Sequence, residues 1–211
     1  MSKYKWKPFL EKWSREIVAS DDFTYFINRL GNDYPGSYTP EVLSSGWLGY
    51  PGATEKEILQ KEAYLGINLP PSYREFLKVT DGWKTIEFEM IPRIWSVAQI
   101  EWLKVTEPDW VWEEVQNAFP VSDEDYFVYD NDESLYYRGE YFETALDISD
   151  REYAGTAKYL LNPQIINKEG EWEAWFYAHW LPGVIRYPSF WEMMQGRYKT
   201  FLYLQNNPSN E

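Results

Sequence analysis

The stretch EILQKEAYLGINLPPSYREFL, residues 57–77, predicts two short helices that meet at a Leu-Pro-Pro corner. Thr54 and Glu57 match the T-x-x-E pattern of a capping box, which marks the start of the first helix. Gly66 supplies a left-handed residue that ends it. The two prolines cannot continue that helix but suit the first turn of a second one. The core face of the second helix would carry Tyr73, Phe76, Leu77 and Thr80.

Glu62 lies inside the apolar stripe of the first helix, on the same face as Ile58 and Leu65. A buried carboxylate without partners is strongly destabilising, so Glu62 must receive hydrogen bonds. We predict an internal clamp, in which a backbone turn or a nearby Tyr, Trp or Arg donates to Glu62 and fixes this helix to the sheet. The alternative is a carboxylate offered to a partner, which fits a helix end better than an apolar stripe.

The residues before this stretch predict a helical extension. Apolar side chains recur at helical spacing at Phe9, Leu10, Trp13 and Ile17. A second helical pattern covers residues 23–30, and a loop rich in Gly, Pro and Ser follows it. We expect residues 1–50 to form a helical extension and loop, residues 51–205 the main domain, and residues 206–211 a disordered tail.

The residues after this stretch predict a sheet. Strand-forming runs occur at residues 86–91, 126–130, 141–148, 156–162 and 171–180. Their spacing in the second half is typical of an antiparallel meander. Short helices are expected from Ser96 and after Pro108, and Ser189 with Glu192 would cap a closing helix. This order of elements indicates the α+β class.

The composition limits the classes of protein to consider. The 211 residues are 44% hydrophobic, but no uninterrupted apolar run has the ~18 residues that a membrane span needs. No secretory signal is visible, so we expect a cytoplasmic protein that does not engage a membrane. The chain has no cysteine, which excludes disulfides, thiolate catalysis and cysteine metal sites.

The negative charge is concentrated in one quarter of the chain. Residues 101–152, here named the acidic segment, contain 16 acidic and three basic residues, whereas the rest of the chain has 18 acidic and 17 basic residues. Such a segment attracts cationic partners and repels nucleic acid, so we expect no direct nucleic-acid binding. The alternative is a solvated acidic face that keeps the protein soluble.

Patterns that would indicate catalysis or a cofactor are weak. His179 is the only histidine and lies in an aromatic strand, which favours a structural role over a catalytic or metal-binding one. Residues 130–134, DNDES, lack the glycine and the closing glutamate of a calcium loop. No phosphate-binding loop is present. We therefore expect no catalytic residues, no metal and no cofactor.

The motifs around the opening stretch resemble the SUKH superfamily, which also contains the fungal cell-wall regulators of the SMI/KNR type. The matching positions are Ile58, Glu62, Leu65, Gly66, Leu69, Pro70, Tyr73, Phe76, Leu77 and Gly82. The segments YLLNP (159–163) and AHWLPGVIRYPSFWEMM (178–194) are similar to the C-terminal part of the family pattern. The resemblance implies an α+β fold in which helices pack against a curved, mixed and mainly antiparallel sheet.

The resemblance also implies a function. Most bacterial members of the superfamily are cytoplasmic immunity proteins that bind and neutralise a polymorphic toxin, often a nuclease. The fungal relatives are regulatory scaffolds, so the fold alone leaves both roles open. A carbohydrate-binding module or small glycosidase is a third alternative, because paired carboxylates can hydrolyse glycosides and aromatic rings can stack on sugars.

The sequence favours the first of these functions, with a cationic toxin domain as the partner. An acidic surface would speed association with a basic toxin, and aromatic residues would supply buried anchors. The oligomeric state, monomer or homodimer, stays open. The residues expected to bind the partner are Asp109, Trp110, Trp112, Glu113, Glu114, Asp123, Glu124, Asp125, Asp130, Asp132 and Glu133.

Overall fold

A computed structural model of the chain describes residues 3–24, 40–84, 92–129, 136–150 and 157–207. The predicted strand at 86–91, most of the second helical pattern at 23–30, and three of the predicted partner-binding residues lie outside these ranges. Those three residues are Asp130, Asp132 and Glu133.

Helices dominate the first half of the chain. Their bounds are α1 Trp6–Val18, α2 Pro40–Ser45, α3 Glu55–Leu65, α4 Pro71–Val79, α5 Leu103–Thr106, α6 Pro108–Asn117 and α7 Asp123–Tyr126. A 3-10 helix covers Gly139–Thr144, and α8, Phe190–Asn206, closes the described chain. None of these helices is long and apolar enough to span a bilayer.

The predicted capping signals are present at α3 and α8. The Thr54 hydroxyl oxygen accepts from the backbone N–H of Glu57, and the Glu57 carboxylate accepts from the backbone N–H of Thr54. Gly66 ends α3 with a φ of 73°, where a side chain would be strained. Ser189 also caps the start of α8: its hydroxyl oxygen accepts from the Glu192 backbone N–H, and the hydroxyl donates to the Glu192 carboxylate at 2.7 Å. These local signals explain why the opening stretch folds as predicted.

Five short strands form one antiparallel sheet in sequence order within the described residues. Their bounds are β1 Glu101–Trp102, β2 Leu146–Asp147, β3 Lys158–Ile166, β4 Trp172–Tyr177 and β5 Val184–Tyr187. All four strand pairs are antiparallel, with Leu160 opposite Trp175 in the central pair. The predicted α+β class and meander are confirmed.

Both faces of the central strands are buried. Tyr159, Leu161 and Phe176 face a main core that also contains side chains from α1, α3, α4 and α8. Leu160 and Trp175 alternate to the opposite face, where α6 and the 3-10 helix cover a second and smaller core. Helix α6 and the 3-10 helix of the acidic segment therefore form a layer over the second face of the sheet, whereas β1 and β2 of the same segment belong to the sheet.

Helix α1 belongs to the main core as much as the helices of the opening stretch do. Leu10, Trp13 and Ile17 are fully buried, and the indole of Trp6 donates to the carbonyl of Ser72 at 2.9 Å. The predicted domain boundary at residue 50 stays a prediction, because packing alone does not decide where an autonomous unit begins.

Three local predictions after the opening stretch are wrong. Residues 126–129 are not a strand, because Ser122 and Asp125 form a helix cap and Tyr126 ends α7. The first half of the strand predicted at 141–148 lies in the 3-10 helix, and only Leu146–Asp147 pairs as β2. The helix predicted from Ser96 is only a turn, although the Gln99 side chain accepts from the Ser96 backbone at 3.2 Å.

Candidate protein-binding surface

The outer side of the acidic segment is the candidate functional surface, and α6 supplies its first part. Trp110 faces inward, with its ring 5.2 Å from that of Phe142 and 4.7 Å from that of Tyr177. Its indole donates to Glu114 at 3.0 Å, and the hydroxyl of Tyr137 donates to the same carboxylate at 2.9 Å. Trp110 and Glu114 therefore anchor α6 to the second core, which is a role that the sequence did not distinguish from partner binding.

The other predicted residues of α6 point outward. Asp109 and Glu113 are exposed and one helical turn apart, and Trp112 is 64% exposed. The helix continues into a loop in which Phe119 is 85% exposed. Large exposed rings are unusual on a surface that otherwise carries acidic groups. This face of α6 combines exposed acidic groups with exposed aromatic rings, the two features that the sequence predicts for partner binding.

Helix α7 supplies the second part of the surface. Asp125 accepts from the Ser122 hydroxyl at 2.7 Å, and Asp123 pairs with Arg138. Arg138 also donates to the carbonyl of Val121 at 3.1 Å, which ties the loop before α7 to the loop before the 3-10 helix. Asp123 and Asp125 thus have structural partners.

Glu124 lies between these two residues and is exposed. No hydrogen bond or ion pair reaches its carboxylate from the part of the chain that the structure describes. Among the acidic residues of α7, Glu124 is the one whose charge is left to the solvent or to a partner.

A buried ion pair fixes α7 to the sheet. The Glu173 and Arg186 side chains are 0% and 2% exposed, and Arg186 Nη1 donates to Glu173 Oε1 at 3.1 Å. Glu173 also accepts from the Tyr126 hydroxyl at 2.5 Å, the Trp175 indole at 2.6 Å and the Tyr129 hydroxyl at 2.9 Å. Burial, followed by the charge of Glu173, raises the pKa of Tyr126 well above its usual value.

Arg186 extends the same network to the loop after α7. Its guanidinium lies 4.0 Å from the centre of the Tyr126 ring, and Nη2 donates to the carbonyl of Val128 at 3.1 Å. Phe127 and Val128, which follow Tyr126, are exposed. The buried pair therefore holds a loop that presents two apolar side chains to the solvent. We name Glu173, Arg186, Tyr126 and Tyr129 the anchor cluster.

The sequence analysis missed the anchor cluster, although a signal for it was present. Glu173 lies in the run WEAWFY, in which both faces of the strand are apolar or aromatic. The same argument that assigned donors to Glu62 applies to a carboxylate in such a run. Tyr126 and Tyr129 are far from Glu173 in sequence, so their role as donors required the fold.

Glu62 has the kind of donors that the sequence predicts. It is 6% exposed and accepts from the Leu69 backbone at 2.9 Å and from Arg74 Nε at 3.2 Å. Arg74 also pairs with Glu55. The clamp joins α3 to α4, not to the sheet, because the turn between the two helices passes directly over the carboxylate.

The remaining family-motif residues form the joint between α3, α4 and the main core. Pro70 precedes α4 as its cap, and Gly82 has a φ of 106° in the turn that follows this helix. The members of the motif that lie in the main core are Ile58, Leu65, Leu69, Tyr73, Phe76 and Leu77.

A metal centre finds no support in the described residues. They contain no group of three or more histidine, aspartate and glutamate side chains that could hold a metal ion. His179 packs with its ring edge-on to Trp180, at 5.0 Å between the ring centres. His179 is exposed and lies in the turn after β4, so its predicted place inside an aromatic strand is wrong.

These features define a class of α+β protein with a helical layer and an acidic layer on opposite faces of one antiparallel sheet. Its candidate site is a surface with exposed acidic and aromatic side chains. The chain belongs to the SMI1 / KNR4 family (SUKH-1), whose family model matches residues 52–196. The resemblance found in the sequence is thereby confirmed. A comparison with curated proteins finds no match.

Proposed function

We propose that this protein is a bacterial immunity protein that binds and neutralises a cognate toxin as a stoichiometric inhibitor. Membership of the SUKH-1 family supports the general role. The specific proposal rests on the side chains that are exposed on the outer side of the acidic segment. It exposes Trp112, Phe119 and Phe127 on elements that also carry exposed acidic residues.

The proposed partner is a cationic toxin domain, such as a nuclease. A nuclease concentrates Lys and Arg where it binds phosphates, and a negative surface competes for that site. The acidic segment would accelerate association by electrostatic steering. The exposed rings would then provide the buried contacts that lower the dissociation rate, because Trp and Tyr are enriched at binding hot spots.

The proposed mechanism is binding without catalysis. The buried carboxylates Glu62 and Glu173 receive hydrogen bonds within the protein and hold its elements together. Such groups act as structural acceptors. We place the inhibitory contact on the outward groups Asp109, Trp112, Glu113 and Glu124, and propose the predicted residues Asp123 and Asp125 as structural support for that surface.

The experiment is a titration of the toxin domain encoded beside the gene. We expect inhibition to be complete at one equivalent of the protein and to weaken with added salt, because salt screens exposed charges. The double charge reversal E113K/E124K should weaken binding at least about tenfold, mainly through the association rate. Both positions are exposed, so the fold should be retained.

The matched control reverses two exposed acidic residues in the helical half of the chain, D21K/E41K. It changes the net charge by the same amount. If both variants bind equally well, or if binding is independent of salt, the acidic segment is not the steering surface. If the adjacent toxin is not inhibited at all, the immunity role is wrong.

A regulatory scaffold of the SMI/KNR type is the second candidate function. The family description, which names SMI1 and KNR4, favours it. The same titration separates the two, because a scaffold would bind no neighbouring toxin. A carbohydrate-binding module is the third candidate, and glycan binding that is lost in Trp112→Ala would support it.

A further inference from the structure

A cleft of about 460 Å³ lies beside the opening stretch, on residues that the proposed function does not use. Its walls are the loop at residues 50–53, the first turn of α3, the turn at Asp81 and the segment 93–99. This volume suits a small molecule or a few residues of a peptide, because ligand pockets measure about 300–1,000 Å³.

Close backbone contacts hold these walls in place. Ile94 bridges Trp83 on one side and Ser149 on the other. A side chain at Gly82 would lie 2.8 Å from the carbonyl oxygen of Ile94, and one at Gly52 would lie 2.0 Å from that of Lys78. These close approaches fix the backbone around Gly52 and Gly82, next to the walls of the cleft.

Two carboxylates in the cleft each use one oxygen for the fold. Asp81 Oδ1 accepts from the Val97 backbone at 2.6 Å, and Glu57 Oε2 accepts from Thr54 in the capping box. Within the described residues, no donor reaches Asp81 Oδ2 or Glu57 Oε1. Partial burial, and to a lesser degree the charge of Glu57, raise the pKa of Asp81. Asp81 and Glu57 therefore each have one carboxylate oxygen that is not used by a donor of the described fold.

The cleft also contains an arginine. Arg93 pairs with Asp150, and its Nε is buried with no acceptor among the described residues. The Tyr50 side chain forms another wall of the cleft. Asp150 balances the charge of Arg93, so the remaining charge on the walls of the cleft is negative. Arg93 places hydrogen-bond donors at one end of the cleft.

We propose that this cleft binds a guanidinium group, with Asp81 and Glu57 as its carboxylate partners. A planar guanidinium offers several donors in a fixed geometry and matches carboxylate oxygens. The Tyr50 ring is not needed for this contact, because the ammonium of Lys84 already lies 3.9 Å from its centre. The group can come from a free guanidinium compound or from an arginine side chain of a peptide. The inference is independent of the proposed toxin surface.

The test measures binding to the full-length protein by NMR. Agmatine and an acetyl-arginine amide are titrated separately into labelled protein, and the amides of Ala53, Gly82, Val97 and Gln99 are followed. We expect saturable shifts of these amides with a dissociation constant of about 1 mM or lower. Binding of the amide but not of agmatine would indicate a peptide source, and the reverse would indicate a small molecule.

The variants D81N and E57Q remove each charge while keeping the acceptors for Val97 and Thr54. We expect each to weaken binding at least about fivefold, which is a loss of about 1 kcal/mol. The control E75Q removes a carboxylate on α4 that pairs with Lys78, outside the cleft, and should bind as the wild type. D81N precedes Gly82, so intact mass must exclude deamidation.

Stability separates a ligand-binding role from a purely structural one. The raised pKa of Asp81 means that its ionised form is disfavoured in the folded state, so D81N should be no less stable than the wild type at pH 7. Loss of binding without loss of stability would support the proposal. Absence of saturable shifts with both ligands, or shifts that persist in both variants, would overturn it.

Discussion

The anchor cluster makes a quantitative prediction about Glu173→Gln. Glu173 accepts four hydrogen bonds, from Arg186, Tyr126, Trp175 and Tyr129, and its side chain is fully buried. The glutamine keeps one carbonyl oxygen, which can accept two donors. Loss of two hydrogen bonds to a charged group costs about 3–6 kcal/mol, which agrees with about 3–5 kcal/mol for breaking a buried ion pair.

A second variant tests whether the loss of the Glu173 charge causes this destabilisation. Glu173→Gln leaves Arg186 buried and unpaired, so the further change Arg186→Met should remove part of the penalty. We expect E173Q/R186M to be less destabilised than the sum of the two single variants by about 2 kcal/mol. Urea unfolding at pH 7 of the wild type, both single variants and the double variant gives this coupling energy.

The matched control is Glu171→Gln. Glu171 is also a buried carboxylate in the strand region, but it accepts from Ser72, on the other side of the sheet, at 2.9 Å and 2.5 Å. The changes that Glu171→Gln and Arg186→Met make in the free energy of unfolding should add within about 0.5 kcal/mol in the double variant. If E173Q/R186M is equally additive, the pair does not act as a unit and the reasoning about the anchor cluster is wrong.

Three further predictions concern the helices. Trp110→Ala should destabilise the protein by about 2–4 kcal/mol in urea unfolding. Trp112→Ala should change stability by less than about 0.5 kcal/mol. It should weaken toxin binding by about 2 kcal/mol in calorimetry. Glu62→Gln should cost about 1–3 kcal/mol, because Arg74 loses a charged partner; full stability of this variant would contradict the clamp. Gly66→Ala should cost about 1 kcal/mol by thermal unfolding, since its φ of 73° is strained for alanine.

Local signals explain which parts of the fold the sequence predicted. The capping box at Thr54, the stop at Gly66 and the cap at Ser189 depend on residues close together in the chain. Strands β3 and β4 were predicted for the same reason, since each is a long apolar run with turn residues around it. None of these features needs information about distant contacts.

The acidic segment was predicted less well because its structure depends on distant partners. The alternation in YFVYD is typical of a strand, but the Tyr126 hydroxyl binds Glu173, 47 residues away. This contact, with the local cap at Ser122, makes residues 123–126 a helix. Trp110 and Trp112 differ only by their position on α6, so the sequence alone could not assign one to the core and the other to the solvent.

The acidic residues of this protein divide into two groups with separable effects. Glu62 and Glu173 are buried and compensated by donors within the fold, so their charges contribute little to the field that a distant partner meets. Glu113 and Glu124 face the solvent and set that field. Changes in the first group should therefore alter unfolding more than the salt dependence of association, and changes in the second group should do the reverse. Because the two measurements are independent, an error about the binding surface can be detected even where the account of the fold is correct.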